Sequence, residues 1–476
     1  AGISGIDAAY HLQKECAGKS FVLLENQATF GGTWTTHTFP GIRSDSDLYT
    51  FGYGWKPWSS APIATAAEIL KYLDEVLDEH DIRRHIRFHH HVKQARWSSA
   101  DACWTLEVER SDTGETLRFT CSFLWMCQGY YRHAEGYTPD FPDAERFRGP
   151  IVHPQHWPDD LDYEGKKVVV IGSGATAATL IPALAEHTAH VTMLQRSPTY
   201  YFAAANRAEI ADMLRSLEIP EEWVHEITRR KVIQDQKMLI DRSFHDSDAL
   251  SADLIAGARA YLGDDFDVET HFTPSYRPWR QRLAFLPDGD LFRAIKSGKA
   301  SVVTDKIETF TENGILLASG KELEADIIVT ATGLNLSALG DIDFTIDGRP
   351  LDFSQCIGHR GILFTGIPNM AWVFGYLRAS WTLRADLVAA FVCRLLDHMD
   401  EKGVTVVTPV LRPEDQDMPR LPFVDPENFN AGYLMRSMHL LPKQGDREPW
   451  IFSQDYNIEK DEIPAADLED GTLSYR

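Results

Sequence analysis

The chain opens on a glycine turn, and apolar residues then recur at Ile6, Ala9 and Tyr10, a spacing that lays one stripe along a helix. A short apolar run, Phe21-Val22-Leu23-Leu24, follows and ends in Glu25. Together they form the second half of a βαβ unit. The pattern returns later in the chain. Lys166 to Ile171 is an apolar run of strand type, Gly172-Ser173-Gly174-Ala175-Thr176-Ala177 comes next, and Val191-Thr192-Met193-Leu194 predicts the following strand. Similar features follow each unit. Residues 102–109 and 116–125 read as antiparallel strands joined at Asp112-Thr113-Gly114 and run on to Cys127-Gln128-Gly129. A hairpin turning at Asn313-Gly314 leads into Ile327-Ile328-Val329-Thr330-Ala331-Thr332-Gly333.

Residues 205–270 carry no strand signal, and 207–217 and 223–236 predict helices. Residues 383–399 hold apolar Leu387, Val388, Phe391, Val392 and Leu395 at helical spacing, an amphipathic helix. From Pro409 onward the chain is rich in Pro and Asp and reads as a tail wrapping the surface. The expected fold is α/β, with two dinucleotide-binding, Rossmann-like domains and a helical insertion in the second. One domain is placed at 1–145 plus 338–476, and the other at 146–337 with its insertion at about 205–270.

Both turns suit phosphate binding. Gly174 and Gly2 let backbone approach a pyrophosphate, Gly5 lets its helix pack close to the sheet, and each helix N-terminus faces the phosphates with partial positive charge. The first turn lacks the opening glycine and the strand before it, so the sequence reads as cut at its N-terminus. Glu25, at the tip of the second strand, can accept hydrogen bonds from ribose hydroxyls. The later unit has no acid at that place. Arg196 and Ser197 stand there instead, and a guanidinium can grip a 2′-phosphate that a carboxylate would repel. One acid-tipped site and one arginine-tipped site point to FAD first and NADPH second.

Composition narrows the partners. Of 476 residues, 47 are Lys or Arg and 70 are Asp or Glu, a net charge of -23, which disfavours nucleic-acid binding. Six cysteines form no Cys-x-x-Cys pair, which disfavours a zinc site or a dithiol reductase and favours a reducing compartment, the cytoplasm. No apolar run is long enough for a membrane span. His89-His90-His91 alternates faces as a strand would, so no metal site is expected there. Tyr49, Tyr53, Trp55 and Trp58 either line an apolar substrate pocket or pack the first domain.

Between the units lies Phe147-Arg148-Gly149-Pro150-Ile151-Val152-His153-Pro154-Gln155-His156-Trp157-Pro158. It resembles the F-x-G-x-x-x-H-x-x-x-W-P fingerprint of type I Baeyer–Villiger monooxygenases. Gly31-Gly32-Thr33-Trp34 and Phe39-Pro40-Gly41-Ile42-Arg43-Ser44-Asp45 resemble that family's flavin-side segments. The run from His271 to Leu283, Ser44-Asp45-Ser46-Asp47, and Phe374-Gly375-Tyr376 to Ser380-Trp381-Thr382-Leu383 are similar to the ethionamide-monooxygenase-like subgroup. The resemblance covers nearly the whole chain. It implies an enzyme that uses FAD, NADPH and O2 to convert ketones to esters or lactones, or thioethers and thioamides to S-oxides. An N-hydroxylating or flavin-containing monooxygenase acting on amines is the alternative, and a nucleotide-binding module without turnover stands behind it.

Carried over, Arg282 matches the active-site arginine and Asp45 the aspartate beside it, while Phe147, Gly149, His153 and Trp157 match the fingerprint. Gly2, Ser4, Gly5, Glu25, Gly32, Thr33, Trp34 and Asp45 are assigned to FAD. Gly172, Ser173, Gly174, Ala175, Thr176, Arg196, Ser197, Thr332 and Gly333 complete the cofactor set. Gln281 stands where some relatives have a phosphate-holding lysine, which leaves more of the NADPH preference on Arg196. Arg282 keeps its charge at any working pH and so suits stabilising negative charge on oxygen. Arg277 and Arg280 lie near enough in sequence to be confused with it. His153 suits a hinge better than a general acid or base.

Overall fold

The computed structural model describes residues 1–476. Its most regular part is a five-stranded parallel sheet in the order Ala300–Thr304, His190–Gln195, Lys167–Ile171, Ile327–Thr330, Ile151–Val152. The central strands are Val- and Ile-rich and buried on both faces, as parallel sheets require. The helix Ala175–Leu184 covers one face and packs Ala177, Leu180, Ile181 and Leu184 against Val168, Val170 and Met193. Gly172, at φ +129°, makes the turn between strand and helix. A Cβ there would meet the Ala331 carbonyl oxygen at 2.2 Å, so only glycine fits.

The first unit is less regular. The helix Ile3–Glu15 follows the glycine turn, but of the predicted strand only Leu23–Leu24 pairs, parallel to Ile86–Arg87. Pairing of the following strands stops at Cys121 rather than Trp125. Cys103–Arg110 pairs antiparallel with Thr116–Cys121, whereas Leu124–Met126 turns away to lie parallel to Met370–Trp372. In the later hairpin, Thr311 pairs with Gly314, so the loop residues are Glu312 and Asn313 and Gly314 already belongs to the strand. His89 has a left-handed backbone (φ 61°) and stands outside the strand His90–Ser98, so the strand alternation expected across the three histidines begins only at His90.

Segment 205–270 holds the helices Glu209–Ser216, Glu221–His245, Ser247–Leu262 and, at its end, Val268–Phe272. The second is much longer than its sequence signal, because charged residues dilute its apolar stripe. The helix expected over 383–399 runs from Trp381 to Lys402.

The tail departs most from expectation. It does not wrap the surface. Phe423, Val424, Phe429, Leu434, Leu441 and Phe452 are buried beside Trp104, Trp372 and Phe374, and Leu473–Tyr475 pairs antiparallel with Val407–Pro409. The Pro- and Asp-rich composition marks turns between short anchoring pieces, each too short to show a period.

Candidate active site

Both glycine turns open onto one cleft of about 2190 Å³. That exceeds the usual small-ligand pocket, on the order of 300–1,000 Å³, and leaves room for two dinucleotides. Every residue assigned to a cofactor from sequence lies on its wall, and so does Arg282. None of the four fingerprint residues does.

The walls suit phosphates. The helices Ile3–Glu15 and Ala175–Leu184 begin at Gly2 and Gly174 without a side-chain cap, and neither has an acid in its first turn. Their free N–H groups and positive ends therefore face the cleft. A Cβ on Gly174 would meet nothing within 4 Å, so this turn leaves open space where a pyrophosphate would lie. Gly5 differs from its expected role: a Cβ there would stand 3.7 Å from Cys127 and Leu23, ordinary contact, so close packing does not demand glycine. Glu25 lies on the wall, where one carboxylate oxygen accepts from the Gln27 N–H at 2.8 Å. The buried Gln128 Oε1 and His133 Nδ1 on the same wall have no partner, as befits groups awaiting a polar ligand.

At the end where NADPH is expected, Arg196 is exposed on the cleft wall and makes no ion pair, which leaves its guanidinium free. Lys306 lines the same cleft from the adjacent strand end, where Asp305 N–H donates to the Gln195 carbonyl at 3.0 Å. The Asp305 carboxylate is engaged by the Lys306 and Ser319 N–H groups. Lys306 carried no motif and was not legible in sequence. Only the strand register brings it there.

Arg282 reaches the cleft from an irregular segment. Its Nη2 donates to Asp45 Oδ1 at 2.6 Å, its Nε to Asp45 Oδ2 at 2.9 Å and its Nη1 to the Leu377 carbonyl at 3.0 Å. Burial pulls its pKa down, but the Asp45 carboxylate outweighs burial and holds the guanidinium above its ordinary value. The side chain is still 29% exposed, enough to meet a ligand in the cleft. Arg280 is instead paired with Glu427, and Arg277 gives Nη2 to the carbonyls of Glu427 and Asn428. Neither lines the cleft. Tyr130, Tyr131 and Tyr433 also line it, with Tyr130 donating to Tyr131 at 2.9 Å and burial raising all three phenols. Trp381 fixes the first turn by donating to Ser4 Oγ at 2.7 Å. Tyr433 and Arg436 come from the tail, which is why sequence reasoning missed them.

The fingerprint is structural in its contacts. Phe147 is buried, and a Cβ on Gly149 would meet the Asp326 carbonyl at 2.2 Å. His153 accepts from Gln155 N–H through Nδ1 at 3.1 Å, so its Nε2 carries the proton that goes to the Gly333 carbonyl at 3.1 Å. Burial lowers its pKa, leaving a neutral ring tied to the turn after Ile327–Thr330. Trp157 packs edge-on against Tyr163 at 6.0 Å. Tyr49, Tyr53 and Trp58 are buried, and neither they nor Trp55 line the cleft, so the aromatic cluster packs the first domain.

The chain resembles known proteins over nearly its whole length. The chain is 48% identical to the FAD-containing monooxygenase EthA of Mycobacterium tuberculosis (strain ATCC 25618 / H37Rv), over 96% of its own length and 92% of that protein's. This chain belongs to the FAD-containing monooxygenase family. It is also 43% identical to the probable FAD-binding monooxygenase AlmA of Acinetobacter baylyi (strain ATCC 33305 / BD413 / ADP1), over 100% of this chain and 94% of that one. Residues 62–216 match the flavin-binding monooxygenase-like family, and residues 1–73 match the NAD(P)-binding Rossmann-like domain. Among solved structures, an oxidised steroid monooxygenase bound to NADP superposes with a TM-score of 0.78 at 24% identity, covering 100% of this chain and 98% of that one. OTEMO in complex with FAD and NADP gives 0.69 at 22% identity, covering 86% and 85%. The fold is therefore that of the two-dinucleotide monooxygenases, and the cofactors are FAD and NADP(H). No helix is long and apolar enough to cross a membrane.

Proposed function

We propose that this monooxygenase transfers one oxygen atom of O2 to a ketone, giving an ester or lactone, or to the sulfur of a thioether or thioamide. The observation that carries the reading is the Arg282–Asp45 pair, open to the cleft between the two uncapped glycine turns.

Residues 1–5, 25 and 31–34 would hold FAD and residues 172–176 and 196–197 would hold NADPH, and together the two cofactors would supply the oxygen-activating chemistry. The chain's own residues supply position and charge. Arg282 holds a fixed positive charge where negative charge develops on oxygen, and Asp45 keeps its plane and direction. Such a charge stabilises an oxyanion by about 3–4 kcal/mol in comparable sites. Tyr131 and Tyr433, uncharged at neutral pH, close the cleft beside it and limit water. Arg196, with Lys306, selects the 2′-phosphate. His153 and the rest of the fingerprint couple the nucleotide-binding units: domain one at 1–145 plus 338–476, domain two at 146–337 with its helical insertion. Six unbridged cysteines support a reducing location, the cytoplasm.

The test is oxygen-dependent NADPH oxidation with a panel of ketones, thioethers and amines, with product masses. One added oxygen in a ketone or sulfur product supports the reading. Oxygenated products from amines alone turn it to N-oxygenation, and hydrogen peroxide alone from every substrate defeats it.

A further inference from the structure

On the side of the helix Ile3–Glu15 away from the cleft, Asp7 and His11 stand one turn apart, facing Asp386 on the helix Trp381–Lys402. One ligand atom from each lies within 4.8 Å of the others. Each side chain is held from one side and presents a free atom on the other. Asp7 Oδ1 accepts from Trp55 Nε1 at 3.1 Å, and Asp386 Oδ2 accepts from Gly54 N–H at 3.3 Å. Asp7 Oδ2, Asp386 Oδ1 and His11 Nε2 are buried without any hydrogen-bond partner. Asp7 is 0% exposed.

A buried polar atom without a partner is costly, and one such atom on each of three clustered side chains calls for a cation or a proton among them. A proton shared by the two carboxyls leaves the His11 lone pair unused. The histidine is also oriented for a ligand's role. Its Nδ1 is 2.7 Å from Glu15 Oε1, so the ring gives its N–H to that carboxylate and turns the Nε2 lone pair toward the two aspartates. A carboxylate behind the imidazole is the usual support of a metal-bound histidine. Arg229 Nη2 lies 3.6 Å from Asp386 Oδ2 and offsets one charge, but its Nη1 is spent on the carbonyls of Tyr49 and Gly52 and it does not reach Oδ1.

We propose that Asp7, His11 and Asp386 bind a divalent cation of the zinc type, which ties the helix at the first dinucleotide turn to the long helix behind it. One imidazole and two carboxylates suit zinc, with water as the fourth ligand. Ligand bonds of about 2.0–2.2 Å place tetrahedral ligand atoms roughly 3.3–3.6 Å apart. His11 Nε2 is already 3.6 Å from the Asp7 carboxylate, measured to Oδ1, the oxygen that also accepts from Trp55. Asp386 has to close from within 4.8 Å.

The flavin-loaded protein, stripped by dialysis against a chelator, is titrated with zinc in competition with a chromophoric chelator, and its melting temperature is recorded with and without the metal. The expected result is one tightly held zinc per chain and a higher melting temperature. His11→Gln and Asp386→Asn each abolish that binding while the flavin absorbance, the check on folding, is unchanged. Glu15→Gln, behind the ligand, weakens it about ten- to a hundredfold. No competitive zinc uptake by the parent protein overturns the proposal and leaves a proton shared by the aspartates. Undiminished uptake by both His11→Gln and Asp386→Asn overturns it too, since the metal then binds elsewhere.

Discussion

Arg282 and Asp45, 237 residues apart in sequence, meet through two parallel hydrogen bonds of 2.6 and 2.9 Å at the edge of the cofactor cleft. A fork of this kind fixes the guanidinium in a plane as well as a place. Arg282→Ala is expected to lower product formation about a hundred- to a thousandfold with flavin content retained. Asp45→Asn keeps the size of the partner but loses its charge, and is expected to cost less and to divert NADPH oxidation toward hydrogen peroxide. Product yield per NADPH consumed checks both.

Two glycines of one turn separate folding from binding. Gly172→Ala forces a Cβ onto the Ala331 carbonyl at a positive φ and is expected to cost about 3 kcal/mol, seen as a lower melting temperature. Gly174→Leu projects into open space at an ordinary φ of -77°. It is expected to leave the melting temperature within a degree or two of the parent, about the effect of a neutral surface change, and to abolish NADP+ binding measured by calorimetry.

The two cations at the strand tips are expected to set coenzyme choice. Arg196→Ala is expected to weaken NADP+ binding about ten- to a hundredfold while barely changing NAD+. Lys306→Ala is expected to act in the same direction and more weakly, since a lysine offers a single point charge rather than a fork. Calorimetric affinities for the two coenzymes check this without turnover.

Acid should destabilise the fold through histidines buried neutral. Burial, helped by Arg360, lowers His359 from 6.5 to about 3, and burial lowers His37 to about 4. The unfolded chain therefore takes up protons that the folded chain refuses. Stability is full above about pH 6.5 and falls as the pH drops from there toward the folded values. At pH 5 the share from His359 is about 2 kcal/mol. Urea unfolding at pH 7.5 and pH 5 should show the loss, and His359→Gln should reduce it. Equal pH dependence in parent and variant rejects this account.

How much of this was legible depended on whether a signal was local. The turn at Gly172–Gly174 and the strands on either side were readable because the glycines, the apolar run and the helix start are contiguous. Arg282 and Asp45 came from resemblance, and the choice against Arg277 and Arg280 needed the coordinates, since what separates them is the partner each finds, Glu427 or Asp45. Lys306 and Tyr433 were invisible. One depends on the register between strands 109 residues apart at Thr192 and Ser301, the other on a tail whose buried residues are spaced too irregularly for either period. The polar composition of that tail misdirected the reading, because Pro and Asp report turns and not exposure.

Because Tyr433 and Arg436 reach the cleft only once Phe423 and Phe429 have settled among Trp372 and Phe374, the chamber is finished by residues that follow both glycine turns in the chain. A nascent chain can assemble both glycine turns and still lack a wall. The reaction space thus depends on packing remote from both glycine turns, and a change that loosens Phe423 from Trp372 would open it without touching a cofactor residue.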